Sequence, residues 1–136
     1  MKIYPFIEDF CHKSVVKDNY EDRLLNLCHA FNHADYVVIG AGAGLSTAAG
    51  IAYSGKRFTD NFADFIERYS LTDMYSSAFY PFNTEEERWA YWARHILMNR
   101  YDIPGTDLYR MLFKVVKEKD YFVITTNVDG QFEKSG

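Results

Sequence analysis

The sequence predicts an α/β protein with parallel strands, and three observations carry that reading. A continuous apolar run of β-formers, YVVI at 36–39, leads directly into alternating glycines at 40, 42 and 44. A second such run, YFVITT at 121–126, ends in the polar loop NVDG. The intervening segments carry apolar residues at helical spacing. Strand, glycine turn, helices, strand and loop therefore follow one another in α/β order.

Leu24, Leu27, Cys28 and Phe31 recur at helical spacing within 18–34, which predicts an amphipathic helix. After the strand at 36–39, a helix opens near Gly44 and runs through LSTAAG. NFADFIERYS supplies a further helical stripe of Phe62, Phe65, Ile66 and Tyr69. NTEEERWAYWARHILMNRY is the clearest helix. Its Thr84 and Glu87 fit a capping box, and acidic residues crowd the positive end of the helix dipole. PGTDLYRMLFKVVKEKD predicts another helix, with lysines gathered toward its C-terminal end, before the strand at 121–126. A parallel sheet needs both faces covered and normally several strands. Only two are visible, so the expectation is one incomplete, apparently truncated domain over 1–136, with a helical insertion at about 59–103.

Composition narrows the function classes. The chain has 136 residues, one domain's worth or part of a larger one, and 48% of them are hydrophobic, which suits a globular protein. No apolar run approaches membrane-spanning length, and Glu8 and Asp9 interrupt the N-terminal apolar residues, so neither a membrane span nor a signal peptide is predicted. A net charge of −4 gives a nucleic-acid partner no electrostatic support. Cys11 and Cys28 form no CxxC pair, so these residues support neither a disulfide framework nor a zinc site, and the default location is cytoplasmic. The 18% aromatic content reads first as core.

A strand that feeds a helix through a glycine-rich turn is suited to phosphate. Free backbone N–H groups and the positive helix end face whatever occupies the turn. GAGAGLST lacks the lysine of a P-loop. It also fails the dinucleotide fingerprint G-x-G-x-x-G, because the third glycine would fall at Leu45 or Thr47. A close-packed turn without a ligand stays open on these residues alone.

GAGLSTAAGI together with TTNVD resembles the two signature motifs of the sirtuin family of NAD-dependent enzymes. The resemblance covers roughly residues 20–136, about the N-terminal half of a sirtuin core. AYSGKRF lacks the proline and Phe-Arg pair of ordinary sirtuin deacylases. GAGAGLS, YSGKRF, FYPF and TTNVD are instead similar to the macrodomain-linked sirtuins of bacteria and fungi. That class is associated with protein mono-ADP-ribosylation and carries glutamine in place of the usual catalytic histidine.

The resemblance implies a partial, doubly wound Rossmann-like fold and NAD as cofactor. It implies ADP-ribosyl transfer to a protein with release of nicotinamide. The alternatives are lysine deacylation and a non-catalytic module that binds NAD or ADP-ribose. A protein substrate, among them a macrodomain protein, is the implied partner, and the incomplete sheet edge suggests oligomerisation. Gly42, Ala43 and Gly44 would contact the pyrophosphate through backbone, with Ser46 beside it. Asn127 suits a ribose hydroxyl or an ordered water, and Asp129 suits the nicotinamide carboxamide. This pair is the expected catalytic shelf, with an Asx turn as the alternative. Tyr53, Arg57 and Phe58 would lie on the mobile cofactor loop, with Arg57 either near the phosphates or a solvated charge.

The histidines offer no general base by position. His29 and His33 stand at i and i+4 without a third ligand, so a packed or solvated pair is expected rather than a metal site. His12 and His95 lie far from TTNVD. By resemblance, the base or its glutamine substitute would come soon after that motif, just past GQFEKSG, and the ribose- and adenine-binding strands and any zinc-ribbon cysteines would follow it.

Overall fold

The computed structural model describes residues 19–136. Cys11 and His12 lie outside the described residues. The chain divides into two compact units, one ending at Asp35 and the other spanning Tyr36–Gly136.

The described part of the first unit is helix α1, Tyr20–His33. Asn19 caps it by accepting from the Asp22 amide at 2.9 Å, and Glu21 and Asp22 sit in its first turn, where the helix dipole favours negative charge. None of its side chains is buried. His29 and His33 stack at 4.1 Å, and His33 Nδ1 lies 2.8 Å from the His29 carbonyl oxygen, so the pair forms a local contact on the helix.

In the second unit, strands β1 (Tyr36–Ala41) and β2 (Asp120–Thr125) pair in parallel, from Tyr36 with Asp120 to Ala41 with Thr125. These two strands make up the sheet among the described residues. Side chains alternate across a strand, so residues of the same parity line one face. Ile39, Tyr121 and Val123 meet Tyr109, Leu112, Phe113 and Val116 of helix α7 (Asp107–Val116), with Phe132 of the last helix joining them. The opposite face presents Tyr36, Val38, Phe122 and Ile124, all exposed.

The core of this unit lies mainly away from the sheet. After β1 come α2 (Ala43–Ala48), α3 (Lys56–Asn61), α4 (Ala63–Tyr69), α5 (Met74–Ser77) and α6 (Glu85–Ile96). A π-helical turn, Leu97–Tyr101, completes the series. Phe58, Phe62, Phe65, Leu71, Met74 and Tyr91 are buried together, with Tyr69, Tyr80, Phe82 and Trp92 packed around them. Phe62 and Tyr91 are fully buried, and their rings lie 5.2 Å apart. Each such side chain contributes about 1.5–3 kcal/mol by leaving water. The aromatic content thus builds a helical lobe, with the sheet alongside it.

Three boundaries differ from the sequence-based reading. The stripe around Phe62 is two helices, α3 and α4, because the backbone turns at Phe62 (φ −128°) where its ring enters the core. The long helix expected over the NTEEERW segment is α-helical only to Ile96. Beyond it, Asn99 is buried in the π turn, its amide donating to the His95 carbonyl at 2.8 Å. After β2, a short helix α8 (Gln131–Ser135) follows the NVDG loop, entered through Gly130 at φ 67°, a backbone conformation that favours glycine. Elsewhere the expected signals operate. Thr84 caps α6 by accepting from the Glu87 amide at 3.2 Å. Among the described residues, no helix is long and apolar enough to cross a membrane.

Candidate functional site

Parallel pairing sets the C-terminal ends of β1 and β2 side by side, Ala41 against Thr125. The turn after β1 and the loop after β2 therefore emerge together. Loops at the carboxyl ends of parallel strands are where α/β proteins build their sites. Asn127 Nδ2 donates to the Gly42 carbonyl at 2.9 Å, joining the two segments directly.

The glycine turn is bare by composition rather than by backbone need. Gly42 is extended (φ −129°, ψ −168°), a conformation any residue adopts. A Cβ built at Gly40, Gly42 or Gly44 would meet no atom within 4 Å. Residues 42–44 are exposed, Ala43 included. Open space beside exposed residues at the start of α2 could admit a phosphate-bearing group along this turn. Gly50, at φ 88°, is the position where the backbone itself calls for glycine, as the chain leaves α2.

Beneath the turn lies a buried polar hub. Ser46 Oγ donates to Asp129 Oδ2 at 2.5 Å, and the other carboxylate oxygen accepts the Gln131 amide at 3.0 Å. The latter contact is an Asx turn, and the carboxylate also reaches Ser46 of α2. Tyr109 places its hydroxyl 3.3 Å from both Ser46 Oγ and Asn127 Nδ2. Gln131 splints the neighbouring loop: its Oε1 accepts from the Thr106 amide at 2.8 Å, and its Nε2 donates to the Pro104 carbonyl at 3.0 Å. The expected residues Gly42, Ser46, Asn127 and Asp129 are thus connected by hydrogen bonds. Ser46 and Asp129 point their polar atoms inward, and both are buried.

Tyr53 and Arg57 lie on the segment that follows Gly50. Tyr53 is half-buried with its ring edge toward His95 at 5.4 Å between centroids. Burial raises its phenol pKa and the Asp129 carboxylate raises it further, while Arg57 opposes both. Arg57 is turned toward the protein. Its guanidinium donates to the Ala52 carbonyl at 3.1 Å, to Asn99 Oδ1 at 2.7 Å and to the Met98 carbonyl at 3.0 Å. It fastens the segment after Gly50 to the π turn. Burial lowers its pKa, with Tyr53 acting in the other direction. His95 is buried, and burial, aided by the Arg57 charge, holds its imidazole below the ordinary histidine value.

Tyr109, Gln131, Asn99 and His95 carry the site's scaffold, and the sequence reading assigned them no role. Among the described residues, no group of three His, Cys, Asp or Glu side chains is placed to hold a metal ion.

The fold and site define a mixed α/β chain whose bare glycine turn faces an Asn/Asp shelf across adjacent strand ends. Over 120 residues, 88% of its length, the chain is 43% identical to a protein ADP-ribosyltransferase of Staphylococcus aureus (strain Mu50 / ATCC 700699). Over 107 residues, 76% of its length, it is 36% identical to a probable bifunctional ADP-ribose hydrolase/ADP-ribosyltransferase of Fusarium oxysporum f. sp. cubense. The matched region spans 38% of the first relative and 18% of the second. No protein-family model matches the chain.

Proposed function

We propose that this chain forms the pyrophosphate- and nicotinamide-facing part of a sirtuin-type, NAD-dependent protein ADP-ribosyltransferase with a Rossmann-like fold. One observation carries the reading: the Asn127–Gly42 hydrogen bond, which sets the NVD loop at the mouth of an open glycine turn. The names of the two relatives support the transfer of ADP-ribose.

NAD, when bound, supplies an ADP-ribosyl group whose bond to nicotinamide breaks as an acceptor side chain bonds to the ribose carbon. The chain's residues divide the remaining work. The amides of Gly42, Ala43 and Gly44 would hold the pyrophosphate, where several N–H contacts add to the helix end. Asn127 would orient a ribose hydroxyl or a water. Asp129, fixed by Ser46 and the Gln131 amide, would hold the nicotinamide carboxamide. Tyr53 and Arg57 would close the segment after Gly50 over the site, with Arg57 anchoring it to the π turn.

The test is incubation of the complete protein that contains this chain with adenine-labelled NAD and a protein acceptor. Released nicotinamide would be followed by chromatography and transferred label by gel. Equal release and transfer are expected. Heat of NAD binding without nicotinamide release would make the chain a binding module. Release that depends on an acyl-lysine peptide and removes its acyl group would make it a deacylase.

A further inference from the structure

Tyr109 is 2% exposed, and its ring is held edge-on against Phe132 at 4.9 Å, so its hydroxyl has a fixed position. Hydrogen bonds through that hydroxyl can run in only one direction. A carbonyl oxygen only accepts, so the Asn127 atom facing the Gly42 oxygen is its amide nitrogen. The Ser46 hydroxyl donates its proton to Asp129 Oδ2. Ser46 Oγ is then the acceptor for the Tyr109 proton, and the Tyr109 oxygen is the acceptor for Asn127. The donor order is Asn127, Tyr109, Ser46, Asp129.

This order uses both amide hydrogens of Asn127, one on Gly42 and one on Tyr109. The side chain cannot flip without setting its own oxygen against the Gly42 oxygen. It therefore meets a ligand with Oδ1, a pure acceptor. We propose that Tyr109 is a positioning residue that locks Asn127 in this orientation, so that the site selects a hydroxyl or water at that point and rejects an acceptor group. The step from acceptor to ribose hydroxyl rests on the function proposed above. The lock itself does not.

The test is Tyr109→Phe, which keeps the ring and removes the hydroxyl. Side-chain amide NMR of the ligand-free, 15N-asparagine-labelled protein reads the lock directly. In the parent, Asn127 should give two distinct protons in slow exchange with water. In Tyr109→Phe, that exchange should speed up by about two- to tenfold, the loss of one ordinary hydrogen bond. Ser46→Ala is the control: it leaves the Asn127–Tyr109 contact in place, so Asn127 should stay protected. In turnover, Tyr109→Phe should lower kcat for nicotinamide release by about ten- to hundredfold, as misplaced groups do. The Kd for NAD should stay within about twofold.

Unchanged amide exchange in Tyr109→Phe would overturn the lock. So would equal loosening in Ser46→Ala, which would mark a general softening of the hub. Faster exchange with parent-like kcat would overturn its bearing on chemistry. A parent that releases no nicotinamide at all would refute the proposed function, and the NMR comparison would still decide the lock.

Discussion

The amide nitrogen of Asn127 lies 2.9 Å from the carbonyl oxygen of Gly42, joining the loop after β2 to the turn after β1. One hydrogen bond thereby connects the two segments that leave the paired strand ends. It also fixes what each can offer: amides from the turn and an acceptor from the loop.

Asn127→Ala should therefore separate binding from chemistry. Nicotinamide release is expected to fall by about 10²–10³, the usual cost of one preorganised polar group. Calorimetry should show NAD binding within a few-fold of the parent. Parent-like turnover would remove Asn127 from the reaction.

Gly44→Val tests the bare turn. A Cβ at Gly44 meets no atom within 4 Å, and Gly44 does not occupy the left-handed region, so the fold should tolerate the change. The melting temperature should hardly move, while the Kd for NAD rises by about tenfold or more because the branched side chain fills the space a phosphate needs. Equal affinity in the two proteins would show that nothing lies against Gly44.

Arg57→Lys should destabilise by about 1–3 kcal/mol, since an ammonium cannot reproduce a planar fork bonded to Ala52, Asn99 and Met98. Limited proteolysis should then cut within 52–57 sooner than in the parent. An unchanged cleavage rate would mean that the clamp does not hold this segment.

Phe62→Ala, at the centre of the aromatic cluster, should lose about 3–5 kcal/mol in denaturant unfolding. Trp89→Ala, on the exposed side of α6, should change stability by less than about 0.5 kcal/mol. Comparable losses from the two would misplace the core.

The buried His95 gives stability a pH dependence of definite sign. Burial lowers its pKa in the folded protein below the ordinary 6.5, so the unfolded chain takes up a proton first as pH falls. Its contribution is complete above the unfolded value and is lost as pH drops through it toward the folded value. The melting temperature should decline between pH 7.5 and 5.5, and His95→Gln should flatten that decline. A slope that survives the substitution would assign the effect to other groups.

The strands, the glycine turn and the polar loop were legible because each is local: a β-forming run, a run of small residues, an Asx-rich ending. Their meeting was legible through the parallel order. Tyr109 was not, because in DLYRMLFKVV it is one more apolar-face residue, and its partners Ser46 and Asn127 lie far along the chain. Arg57 looked like a cofactor or surface charge because the acceptors it uses, Asn99 Oδ1 and the Met98 carbonyl, are exposed to it only by the π turn. No side-chain pattern announces such a turn. Gln131 was silent for a related reason: its partners are backbone atoms of the loop before α7.

The pairing of Tyr36 with Asp120 has a kinetic consequence. Everything between those residues must be gathered before the first rung of the sheet can close, and loop-closure entropy opposes that step. The Phe62–Tyr91 cluster draws on contacts much nearer in sequence, so it can condense first and shorten the effective span. The expected order is the helical lobe first and the junction of Gly42 with Asn127 late, as the strand ends come together.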